Sequence, residues 1–132
     1  MATIIAEYYT DELIKWKNAV VFYNNEIYEF GQKLEEVIRR NSIVGIAKKV
    51  EAHQILLNQS ADKFYRLQKA IQQQEAALKT DSSLIDDTLI NNETEKRQTG
   101  LRLMMQAIEK EYIDVKFDCY NFLSGTLKKK KD

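Results

Sequence analysis

The stretch LIKWKNAVVFYNNEIYEFGQKLEEV, Leu13 to Val37, decides the fold. Steps of three and four residues from Leu13 meet Trp16, Val20, Tyr23, Ile27, Phe30, Leu34 and Val37, so every seam position is apolar or aromatic. A stripe repeating every 3.5 residues keeps one helix face turned toward partner helices. Thr10, followed by Asp11 and Glu12, offers an N-cap with an acidic first turn. The same register runs back through Tyr9, Ala6 and Ala2, so a start capped by Thr3 is the alternative. Glu35 with Arg39 and Glu36 with Arg40 form i,i+4 pairs in the favourable order. The helix is expected to stop near Arg40.

Two further seams follow. Asn41 and Ser42 make a short polar junction, with Asn suited to a left-handed C′ position and Ser42 to an N-cap. Such a junction forces an antiparallel hairpin. The second seam reads Ile43, Ile46, Val50, His53, Leu57, Ser60, Phe64, Leu67, Ile71, Gln74 and Leu78. The Asp- and Ser-rich stretch from Thr80 to Thr88 marks the next turn. The third seam is Leu101, Met105, Ile108, Tyr112, Val115, Cys119 and Phe122, with Ser124 and Gly125 as its expected end. Residues 91–100 (NNETEKRQTG) place no apolar side chain at seam spacing and read as either an exposed helical extension or a loop. The expectation is an all-α, antiparallel up-down-up bundle of three long helices (about 10–40, 43–79 and 88–123). It would be rod-like, about 45 to 55 Å long. Residues 1–127 would form one domain, and 128–132 a lysine-rich disordered tail.

Composition agrees with this fold and excludes several functions. The 132 residues include no proline and four glycines, so helix breakers are nearly absent. Lys plus Arg equals Asp plus Glu at 20 each, leaving no global field to attract nucleic acid or an anionic membrane. Neither is expected as a partner. One cysteine, Cys119, cannot form an internal disulfide, which suits a reducing, cytoplasmic compartment. No apolar run approaches the ~20 residues that span a bilayer.

The residues with chemical potential are few. His53 is the only histidine and stands on the seam, where a hydrogen-bonded core or groove-lining position is expected. The alternative is a ligand- or metal-binding site with Glu51 and neighbouring Tyr or Glu residues. A di-iron site needs two Glu-x-x-His motifs, and Val50 stands three residues before His53. In the hairpin register Cys119 lies roughly 18 Å from His53 along the axis, too far for a nucleophile pair. Cys119 is expected to be a small buried hydrophobe. Asp86 and Asp87, being adjacent, suit caps. The scattered glycines form no phosphate loop. Tyr28, with Ile14 and Val21 at seven-residue spacing, is expected to widen the buried face.

The polar stretch 91–100 creates one candidate site. Leu13 and Trp16 of the first helix, with Phe64, Leu67 and Ile71 of the second, would face it across the bundle and form an under-covered apolar groove. Such a groove meets a partner or a second copy; the alternative is that the helices twist closed over it. No catalytic residue, metal ligand or cofactor is expected. FYNNEIYEFGQKLEEVIRRN (22–41), VEAHQILLNQ (50–59) through QQQE (72–75), and IEKEYIDVKFDCYNFLS (108–124) resemble an uncharacterised family of small bacterial helical-bundle proteins. That resemblance implies the fold and carries no activity, cofactor or site. The expected role is a non-enzymatic protein interaction or scaffold bundle that binds a protein partner or itself.

Overall fold

A computed structural model describes residues 4–41, 43–79 and 87–128. It is an all-α bundle of three helices, α1 (Ile4–Arg40), α2 (Ile46–Ala77) and α3 (Asn92–Lys128), with one 3-10 turn at Asp87–Leu89. The three seams form its interior. All eight stripe positions of α1 are buried or half-buried, as are all α2 seam positions except Ile43, which lies before the helix.

α1 takes the earlier of the two expected starts and ends at Arg40 as expected, but its N-terminal cap comes from far along the chain. Thr10 lies inside α1, and Thr3 falls outside the described residues. The carboxylate of Asp87 caps α1 instead, accepting from the Ala6 N–H at 2.8 Å and the Ile5 N–H at 3.3 Å. These first-turn amides have no partner within their own helix. At the other end the Asn41 side chain donates to the Val37 carbonyl at 2.9 Å. The left-handed residue of the junction is Gly45, at φ 85°. The chain therefore needs five residues, 41–45, to reverse, and α2 starts at Ile46 rather than at 43; Ser42 falls outside the described residues.

Residues 92–100 are helical. Asn91 Oδ1 accepts from the Thr94 N–H at 2.9 Å while Thr94 Oγ1 accepts from the Asn91 N–H at 2.8 Å, a reciprocal cap that starts α3. The far end does not stop at Ser124–Gly125. Among the described glycines only Gly45 has positive φ, so Gly125 stays helical, and the Thr126 hydroxyl donates to the Phe122 carbonyl. α3 thus includes Lys128, expected as the start of the tail; residues 129–132 are not described. The turn expected at 80–88 is described only from Asp87.

Contacts divide the bundle into two compact units, Met1–Phe22 with Phe64–Ala107, and Tyr23–Lys63 with Ile108–Asp132. In the first, Ala6, Leu13, Val20, Phe64, Leu67, Ile71, Leu78, Leu101 and Met105 are all buried. In the second, the buried set is Leu34, Val37, Val50, Leu57, Tyr112, Cys119 and Leu123, with the polar Ser60. Helix directions follow from paired contacts in the second unit. His53 meets Phe122 and Lys63 meets Glu111, so α2 and α3 are antiparallel. Tyr23 meets Glu109 and Glu26 meets Lys116, so α1 and α3 are parallel. Among the described residues no helix is long and apolar enough to cross a membrane.

Candidate functional site

The groove expected from the sequence is closed. Leu13, Phe64, Leu67 and Ile71 are fully buried and Trp16 is half-buried. The polar stretch of α3 covers them because its seam positions, Thr94 and Gln98, turn inward and are themselves buried. Their polar groups are satisfied there, which makes such burial tolerable. Gln74 Nε2 donates to the Thr94 carbonyl at 2.9 Å and to Gln98 Oε1 at 3.0 Å. Gln74 Oε1 accepts from Arg97 at 3.0 Å.

This amide layer leads into a clasp between α1 and α3. Glu12 accepts from Gln98 Nε2 at 3.0 Å and from both Nε and Nη2 of Arg102, at 2.8 and 2.7 Å. Burial pushes the Glu12 carboxyl up, but the hydrogen bonds from Arg102 and Gln98 outweigh it and hold the group below its ordinary value.

The second unit has a clasp of the same plan. Glu26 accepts from the buried Tyr112 hydroxyl at 3.0 Å and from Lys116 Nζ at 2.8 Å. Beside it Tyr23 donates to Glu109 at 2.5 Å, and the Tyr23 and Tyr112 rings lie 5.1 Å apart at 52°. Burial, then hydrogen bonding to Glu109, pushes the Tyr23 phenol up to about 12. Burial, then the bond to Glu26, raises Tyr112 as well. Phenols held protonated in this way are hydrogen-bond donors rather than bases or nucleophiles.

His53 stacks on Phe122 with ring centroids 4.7 Å apart, and its buried Nδ1 has no hydrogen-bond partner among the described residues. It packs as an aromatic ring in a half-buried seam position, with Nδ1 left without the hydrogen bond expected of a core histidine. The contact also corrects the register. Phe122 follows Cys119 by three residues, so Cys119 is about one helical turn from the level of His53, not 18 Å away. Chemistry still argues against a nucleophile pair, because burial pushes the Cys119 thiol up to about 11. Glu51 is exposed, and among the described residues no group of three His, Cys, Asp or Glu side chains is placed to hold a metal ion.

The chain matches no known family, curated protein or solved structure in comparison. Its function is therefore read from its own surface. The second unit has an open groove between α1 and α2, floored by Ile27 and Leu57 and walled by the amides Asn24, Gln32, Gln54 and Asn58. Small residues, Gly31 and Ala61, leave it open. Tyr28 lies on its rim and is exposed, as are Ile14 and Val21, so these three do not widen the buried face. On α3, Ile113, Phe117 and Tyr120 are exposed, the last two at 59% each. Tyr120 also lines a second groove with Phe30, Lys33, Arg40, Leu123 and Leu127. The sequence signal for this face was the aromatics standing off the seam.

Proposed function

We propose that the chain is a non-enzymatic interaction or scaffold bundle that pairs with a second copy through the outer face of α3 in the second unit. The observation that carries this reading is the exposure of Ile113, Phe117 and Tyr120. Their i, i+4, i+7 spacing is that of a helix face that docks on another helix. Phe and Tyr are enriched in the cores of protein interfaces and are costly to leave in water. A face on one helix can meet its own copy across a two-fold axis, which closes the assembly.

The interior supports a non-catalytic role. The polar groups around Gln74, Glu12 and Glu26 are committed to one another, and a reaction centre needs converging groups open to a substrate. The lone, buried cysteine suits work in a reducing compartment such as the cytoplasm. Sedimentation equilibrium of the wild type and of a Phe117→Glu/Tyr120→Glu variant tests the reading. A concentration-dependent dimer that the variant abolishes supports it, and a monomeric wild type rejects it.

A further inference from the structure

The turn between α1 and α2 holds its apolar residues outward. Val44 is 99% exposed and Ile43 60%. Arg39 and Arg40 precede this turn and Lys48 and Lys49 follow it, all four exposed. No acidic residue occurs from Val37 to Val50, and none from Cys119 to Lys131, a stretch that ends in four consecutive lysines. Within this collar Arg40 pairs with Glu36, its own-helix neighbour, at 3.3 Å.

Helix electrostatics accounts for half of the collar. Arg39 and Arg40 close α1, where the partial negative charge of a helix C-terminus favours cations. Lys48 and Lys49 stand at the opposite kind of end. They fall in the first turn of α2, which favours acidic side chains and here has none. Turn tips, likewise, favour Gly, Asn, Asp and Ser over a pair of branched aliphatics. Two local choices that work against the fold, at one place, point to a demand from outside it.

We propose that this turn is a peripheral anchor for an anionic lipid bilayer. Ile43 and Val44 enter the boundary between headgroups and acyl chains, and Arg39, Arg40, Lys48 and Lys49 meet the anionic headgroups, with no segment crossing. Leu127 lines a groove with Arg40, so the end of α3 lies beside this collar. Aliphatic rather than aromatic tip residues favour lipid over single-stranded nucleic acid, which is held by stacking on rings. A net charge of zero argued against any membrane partner, but it averages this collar with acidic stretches elsewhere. Each collar cation near an anionic surface strengthens binding roughly fivefold. Each aliphatic side chain, once buried, adds roughly tenfold or more.

The full chain is sedimented with vesicles of phosphatidylserine mixed with phosphatidylcholine, and separately with phosphatidylcholine alone, at low salt. The expected result is binding to the anionic vesicles only, weakened by added salt. Ile43→Asn/Val44→Asn and Lys48→Gln/Lys49→Gln should each lower affinity at least roughly tenfold with unchanged helix content. A chain ending at Lys128 should keep its dependence on Ile43 and Val44. The proposal is overturned if the wild type stays in the supernatant, or if the Ile43→Asn/Val44→Asn variant binds like its parent. It is equally overturned if short single-stranded RNA or an acidic peptide binds more tightly than the vesicles.

Discussion

The two units join α1 to α3 with the same device built from different chemistry. In the first, Glu12 accepts from an amide and a guanidinium, Gln98 and Arg102; in the second, Glu26 accepts from a phenol and an ammonium, Tyr112 and Lys116. Glu12 and Glu26, Gln98 and Tyr112, and Arg102 and Lys116 are each fourteen residues apart, which is two heptads. A parallel helix pair offers the same place at every heptad, so one carboxylate can be reused to set register. The surroundings differ. The first clasp leads into a buried amide layer around Gln74, whereas the second is backed by the paired rings of Tyr23 and Tyr112.

If apolar packing dominates in the second unit, Tyr112→Ala should be the most damaging single change, costing about 3 to 5 kcal/mol in urea unfolding. Tyr112→Phe keeps the ring and should cost only about 1 to 1.5 kcal/mol. Equal effects of the two would mean that the hydroxyl, not the ring, holds this unit. In the first unit Glu12→Ala removes the acceptor of Arg102 and one of the two acceptors of the Gln98 amide, and should cost about 1 to 3 kcal/mol. A double change with Arg102→Leu should recover part of that loss, and strict additivity would show that the clasp is not a coupled pair. His53→Leu removes a buried nitrogen without a partner and should raise stability by about 1 kcal/mol; a loss would reveal that the imidazole makes a bond that matters.

The smallest difference is in pH dependence, and its sign separates the units. The Glu12 carboxyl is held below its ordinary value of 4.5, so its contribution is present above that pH and fades as pH falls toward the lowered folded value. The Tyr23 phenol is raised from 10.0 to about 12, so its contribution is complete below pH 10 and is lost as pH rises through 12. Glu12→Gln should flatten the acid limb of a melting-temperature profile, and Tyr23→Phe the alkaline limb. Either variant changing the opposite limb would break the comparison.

The apolar frame was legible in the sequence, while its polar members were not. The stripe from Leu13 to Val37 and the α2 seam from Ile46 to Leu78 are inward because burial of apolar surface follows periodicity. Gln74 was visible as an exception on that seam. Thr94 and Gln98 were not, since a polar residue at seam spacing reads as surface until its partners are known. Asp87 caps α1 from more than eighty residues away, a distance that no local motif spans. The expected groove failed for that reason: its cover was polar. The exposed aromatics Phe117 and Tyr120 were legible as residues off the seam, but whether Tyr28 faced in or out depended on how closely α2 approaches α1.

Sedimentation equilibrium tests the central claim, that the interior of this bundle is closed upon itself and the outer face of α3 does the binding. The wild type should behave as a reversible dimer and Phe117→Glu/Tyr120→Glu as a monomer with the same helix content and melting temperature. A wild type that stays monomeric at every concentration, or a variant that still dimerises, would contradict it.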